Sequence, residues 1–335
     1  MRAILVRDGK GPAENLYIGE IATPEIKQTE VLVKIKAFGL NRMDISQREG
    51  KYPAPPGSST VLGVEFSGTV TQLGGSVSSW KVGDEVLGLA GGGAYAEYIA
   101  VNETHIIQKP SHLTWVEAAS IPEVFLTAFQ ALVVIGGVKE GDDVLVHAGA
   151  SGVGVAAIQL ARVYGARTVT ATTSTQDKID WLFSLQNGPT HTANYKTEDF
   201  VASVKAATGG KGANVVIDFV GQSHFNKNID ALAVDGRMTM LALLSGPVVE
   251  SVNLGPILYK RLHIEGSTLR SRSVEYQAAL IARFNAEAFA KITGENGNGP
   301  IRTFIHNVYP WTDIQTAHEE MAANNTKGKI IVEVA

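Results

Sequence analysis

The most constraining feature of this chain is Gly149-Ala150-Ser151-Gly152-Val153-Gly154. It lies between the apolar run Val144-Leu145-Val146-His147-Ala148 and the helix-periodic stretch Val153 to Tyr164. A strand that enters a helix through a glycine-rich turn leaves the first helical N–H groups without chain partners, and the helix dipole adds roughly half a positive charge there. Glycine lets an anion come close to that backbone. The G-x-G-x-x-G spacing is altered here: Ser151 replaces the middle glycine and Gly152 follows it. Glycine-rich corners also occur with no ligand, so the surroundings must decide. A nucleophile elbow, G-x-S-x-G, fails at Val153.

From about Val144 to Ser267 the pattern alternates between short apolar strands and helices. Strands are expected at Val144–Ala148, Arg167–Thr172, Thr190–Ala193, Asn214–Val220, Arg237–Leu243 and Leu262–Gly266, with helices at Val153–Tyr164, Gln176–Leu185 and Asp199–Thr208. That alternation predicts a parallel sheet covered on both faces, and an α/β class. The first third reads differently. Val31–Ala37, Val64–Val70, Asp84–Leu87 and Ala94–Ile99 are short strands punctuated by glycines, which predicts an antiparallel barrel or sandwich. Helices at Val274–Lys291 and Asp313–Ala323 and a closing strand at Lys329–Val334 are expected to pack back onto that first domain. A chain of 335 residues has room for two such cores.

Composition narrows the function. There is no cysteine, which removes disulfides, thiolate nucleophiles and every cysteine-based zinc site. The net charge is −4 with no run of Lys or Arg, so nucleic acid is not an expected partner. The longest apolar stretch, Phe125 to Val138, is interrupted by Gln130 and Gly136-Gly137, so no membrane span is expected. Met1 to Asp8 does not read as a signal peptide. A cytoplasmic protein is the default expectation.

Dinucleotide preference is set near the end of the second strand. NAD binders usually place an acid there to hold the ribose hydroxyl. This chain has Thr172-Thr173-Ser174 followed by Lys178. Hydroxyls beside an ammonium suit a 2′-phosphate, which favours NADPH. Asp177 competes for Lys178 in this reading, and Ser174 or Thr175 also suits a helix cap.

Asn41-Arg42-Met43-Asp44, Gly63-Val64-Glu65-Phe66-Ser67-Gly68, Asp84-Glu85-Val86 and His147 to Gly154 resemble the medium-chain dehydrogenase/reductase superfamily. Within it the chain is similar to the zinc-free, zeta-crystallin-like NADPH:quinone oxidoreductases, above all the stress-inducible group. Gly50-Lys51-Tyr52-Pro53, Asn194-Tyr195-Lys196 and Leu269-Arg270-Ser271-Arg272 add to the match. The resemblance implies a GroES-like β-rich catalytic domain (1–122 and 270–335) and a Rossmann doubly wound cofactor domain (123–269). Zinc-dependent cousins carry a cysteine at the position of Asn41 and a histidine at that of Val64, so a metal-free reaction is implied. His147 is expected to be packed, and His105 and His112 to be surface residues.

The resemblance places Tyr52 and Ser151 at the active site. Tyr52 would give a hydrogen bond or proton to a quinone oxygen; without the family it reads as a loop aromatic beside Pro53, Pro55 and Pro56. The implied cofactor contacts are Asn41, Thr127, Gly149, Ser151, Gly152, Val153, Thr173, Ser174, Lys178, Tyr195, Leu241, Leu243 and Asn324. Asn41 alone reads as a turn residue, and Thr127 is expected to start a helix. No metal ligand is expected. The implied activity is hydride transfer from NADPH to a small quinone or other conjugated carbonyl. An alkene or enoyl reductase and a non-catalytic NADPH-binding protein are the alternatives. A homodimer joined near Leu262 to Gly266 is also implied.

Overall fold

The computed structural model describes residues 1–294 and 296–334. Two compact units divide the chain: Met1–Leu126, Leu269–Gly299 and Thr303–Ala335 form one, and Thr127–Thr268 with Pro300–Arg302 the other.

The first unit is built on a seven-stranded sheet. Its order is Ile305–Pro310, Lys329–Glu333, Glu30–Gly39, Glu65–Leu73, Glu85–Leu89 and Ile106–Gln108, with Tyr98–Asn102 also paired to Glu30–Gly39. Every pairing is antiparallel except that of Ile305–Pro310 with Lys329–Glu333. The closing strand does return to the first domain, with Val332 opposite Phe38. Phe38, Phe66, Tyr95, Trp311, Ile330 and Val332 fill the core. The expected strand over Ala94–Ile99 begins only at Tyr98. Before it, Tyr95 N–H donates to the Leu62 carbonyl while the Tyr95 carbonyl accepts from Ile4 N–H. Backbone shared between two segments in this way forms no ladder.

The second unit holds six parallel strands in the order His191–Asn194, Thr168–Thr173, Asp143–Val146, Ala213–Asp218, Leu232–Met240 and His263–Gly266. The strand order reverses on either side of Asp143–Val146, which is the doubly wound arrangement. All four residues of Asp143–Val146 are buried, as a central strand covered on both faces requires. The α/β class and both architectures match the expectation: a β-rich GroES-like unit and a Rossmann-type sheet.

Two helices differ from the sequence reading. Thr127 does not start a helix: the helix is Pro122–Phe129, with proline in the first turn, where its missing N–H costs nothing. The expected helix Val274–Lys291 is broken into Val274–Phe284, a π-helical turn Asn285–Phe289, and Ala290–Thr293. The wider turn lets Phe284 and Phe289 both face the core, with ring centroids 6.0 Å apart. Among the described residues no helix is long and apolar enough to cross a membrane.

Candidate functional site

The glycine-rich turn follows the central strand of the second unit. Ser151 is the N-cap of the helix Gly152–Val163, and its Oγ accepts from Gly154 N–H at 3.1 Å. That accounts physically for a serine at this position: it satisfies one helix donor and leaves the Gly152 and Val153 N–H groups of the first turn for an external acceptor. Gly154 is required by packing. A Cβ there would lie 2.3 Å from the Ala148 carbonyl oxygen and 2.9 Å from Gly149 Cα. Gly149 N–H donates to the Thr172 carbonyl, which ties the turn to the next strand.

The other cofactor candidates of this unit gather at the same carboxyl edge. Thr173 ends its strand and Ser174 follows it. Thr175, rather than Ser174, caps the helix Gln176–Ser184, accepting from Lys178 N–H at 3.4 Å. Tyr195 N–H donates to the Thr173 carbonyl at 3.1 Å, and the Tyr195 ring is 42% exposed. Leu241 N–H donates to the Asp218 carbonyl, and the exposed Leu243 lies in the same loop. In open α/β sheets this edge is where ligands bind. Thr127 lies inside its helix, half-buried.

His147 is fully buried beneath the turn, as expected. Its Nδ1 and Nε2 meet Thr172 Oγ1 at 2.9 Å and Asn228 Oδ1 at 2.7 Å. Burial pushes its pKa down to about 3, so the ring is neutral. His105 departs from the surface expectation: it is buried at the end of a short helical turn, with its pKa lowered by desolvation.

In the first unit, Asn41 caps the helix Arg42–Arg48 in a capping box with Asp44. Its side chain is engaged twice more: Nδ2 donates to Glu65 Oε1 at 2.8 Å, and Oδ1 accepts from Lys329 Nζ at 2.9 Å. Lys329 Nζ also donates to Glu65 Oε1 and to the Leu40 carbonyl. Asn324 Oδ1 accepts from Arg42, just beyond the last helix. Asp44 is fully buried, and burial pushes its pKa up to about 6. Tyr95 Oη donates to Asp44 Oδ2 at 3.2 Å and meets His318 Nε2 at 3.1 Å. His318, buried beside Arg48, has its pKa pushed down to about 3.

Zinc does not fit this donor set. Val64 is a buried apolar side chain, Asn41 is committed, and an ammonium from Lys329 already neutralises Glu65. Among the described residues no group of three or more His, Cys, Asp or Glu could hold a metal.

Tyr52 is half-buried in the loop after that helix, with the Arg270 guanidinium carbon 5.6 Å from its ring centroid. In the sequence Arg270 stands out only as part of the stretch Leu269-Arg270-Ser271-Arg272. The structure makes it one of the buried cations of the unit, with Nε donating to the Gly91 carbonyl at 2.8 Å. Local patterning carries no signal of this, because the burial depends on chain segments far from Arg270 in sequence.

Comparison with known proteins agrees with the geometry. A family described as "Zinc-binding dehydrogenase" matches residues 152–285, and one described as "Alcohol dehydrogenase GroES-like domain" matches 27–111. The human protein named quinone oxidoreductase is 30% identical over 339 residues, covering 99% of this chain and 97% of that protein. A solved quinone oxidoreductase of Escherichia coli complexed with NADPH superposes with a TM-score of 0.86 at 29% identity, covering 99% of this chain and 100% of its own. A NAD-dependent alcohol dehydrogenase gives 0.84 at 32%, covering 100% of both chains. The CurK enoyl reductase gives 0.84 at 27%, covering 100% of this chain and 99% of its own.

Proposed function

This chain belongs to the medium-chain dehydrogenase/reductase superfamily, and we propose that within it the protein is a metal-independent, NADPH-dependent reductase of small quinones. The observation that carries this is the carboxyl edge of the parallel sheet. There the capped turn at Ser151 leaves the Gly152 and Val153 N–H groups for a pyrophosphate. Beside it, Thr173, Ser174 and Lys178 stand where a NAD binder usually has an acid. Tyr195 offers an exposed ring to the adenosine side, and Leu241 and Leu243 a loop to the nicotinamide side. Asn41, Thr127 and Asn324 complete the proposed cofactor contacts, with Asn41 acting through its place beside Lys329 and Glu65.

When bound, NADPH supplies the hydride. The chain's part is to orient both reactants and to manage the oxygen. Tyr52 donates a hydrogen bond or proton to the carbonyl oxygen, and the Ser151 hydroxyl, while accepting from Gly154, retains a hydrogen to donate. The E. coli neighbour solved with NADPH and the human relative named for quinone reduction support this reading. We also assign a homodimer joined at the edge strand His263–Gly266, flanked by exposed Leu254, Leu258 and Tyr259, and a cytoplasmic location.

The test is NADPH oxidation with a panel of quinones, enones and aldehydes, repeated with NADH. Rapid turnover of quinones with NADPH is expected. Turnover confined to enones or enoyl esters would replace the reading with the enoyl reductase suggested by CurK. Tight NADPH binding with no turnover would make the protein a binding module.

A further inference from the structure

Building on the reductase reading, we propose that Arg270 is an oxyanion-binding residue: its terminal nitrogens receive the carbonyl oxygen of the electrophile and hold the charge that oxygen gains. Two arginines of the first unit are equally buried, each 4% exposed, and they differ in one respect. Arg48 has every nitrogen engaged: Nε with the Gly11 carbonyl at 3.1 Å, Nη1 with His318 Nδ1 at 3.2 Å, Nη2 with Glu49 Oε1 at 3.3 Å. Arg270 has only Nε engaged, on the Gly91 carbonyl, while Nη1 and Nη2 are buried with no acceptor among the described residues. A buried charged donor without an acceptor is rare in a merely structural role, because desolvation then goes uncompensated.

The surroundings suit an anion. The guanidinium lies against the Tyr52 ring, the proposed hydrogen-bond donor to substrate. Burial lowers the Arg270 pKa, and attraction from Asp44, Tyr52 and Glu123 opposes that, so the group stays cationic. A Cβ at Gly92 would lie 2.4 Å from the Ser59 carbonyl oxygen and 3.4 Å from Nη2, so glycine lets the chain pass close to the fork.

The chemistry then balances. Hydride carries its electron pair from the reduced nicotinamide, which is oxidised, to a conjugated carbon of the electrophile. A C–H bond forms there, the conjugated π pair shifts, and the carbonyl oxygen becomes an oxyanion. Arg270 stabilises that oxyanion, and a proton from Tyr52 or water completes the reduction. Donors fixed in advance at the site of developing charge stabilise it without reorganising.

The test uses 4-nitrophenolate, an oxyanion probe whose binding needs no turnover, followed by absorbance with the full-length chain at a pH where the probe is ionised. Wild type is expected to bind the phenolate at least about tenfold more tightly than neutral 4-nitroanisole. Arg270→Gln is expected to lose that preference, and Arg270→Lys to recover most of it. No preference in wild type, or unchanged phenolate binding in folded Arg270→Gln, overturns the proposal. If Arg270→Gln does not fold, the wild-type comparison decides alone. Phenolate binding that needs Arg270, in a protein that turns over no quinone or enone, removes the reductase reading and leaves this site standing. Quinone turnover with unchanged phenolate binding in Arg270→Gln does the reverse.

Discussion

The nucleotide edge of the second unit and the Asp44–Arg270 region of the first are built in opposite ways. At the nucleotide edge the groups proposed to bind are backbone N–H donors and short hydroxyls, and the turn at Gly149 to Gly154 is one continuous stretch. In the first unit they are side chains from distant points: Asn41, Glu65 and Lys329 in one cluster, Asp44, Tyr95 and His318 in a second, Tyr52 and Arg270 in a third. A backbone device depends on shape, and a side-chain device on charge balance in a buried place. The two should therefore fail differently when mutated.

The largest effect is expected at Lys329. Lys329→Met leaves Glu65 buried without its cation and should cost about 3–5 kcal/mol in chemical denaturation. Adding Glu65→Gln should restore part of it, and a double variant no more stable than Lys329→Met would show that the pair is not coupled. Next is Tyr52→Phe, expected to lower quinone turnover by up to about 10²-fold with nucleotide affinity unchanged. Unchanged turnover would reduce Tyr52 to a ring packed under Arg270.

On the backbone side, Gly154→Ala presses a Cβ into the Ala148 carbonyl, a contact no side-chain rotation relieves. It should cost about 1–3 kcal/mol and weaken nucleotide binding, measured by unfolding and by nucleotide titration. Wild-type behaviour there would show that the turn is looser than its geometry. Lys178→Ala should weaken NADPH about tenfold more than NADH, and equal losses would end the assignment to the 2′-phosphate.

The smallest and broadest effect is with pH. His147 and His318 have depressed pKa values, about 3 each, so their stabilisation is full above the unfolded value near 6.5 and is lost as pH falls towards 3. Asp44 is raised to about 6, so its contribution is present below its unfolded value and lost as pH rises through 6. Between about pH 4 and 6 these groups oppose each other, two protons taken up on unfolding against one released, a net of about one. Thermal unfolding across that range should show a shallow loss of stability on acidification. His318→Gln should flatten it, and an unaltered slope would remove His318 from the account.

Much of the architecture was legible because it is periodic. Alternating strands and helices after Val144 and short glycine-punctuated strands before it are local patterns, and each matched the sheet it implied. The misplaced elements failed for local reasons of another kind. Ala94 to Glu97 has strand-like residues but shares its backbone with two segments, and Thr127 follows a proline start that the apolar run disguises. His105 looked polar and exposed because nothing in its neighbours announces a buried turn.

By itself the sequence determined the strand–turn–helix unit, the absence of an acid directly after the second strand, and the lack of any cysteine. Those rest on neighbours in the chain, where spacing is enough. Only the tertiary structure decided that Lys329 neutralises Glu65 beside Asn41, and that Arg270 is buried with its fork unmatched. Whether a buried group is satisfied depends on atoms brought from elsewhere in the chain, and burial is what turns an ordinary arginine or aspartate into a group with consequences.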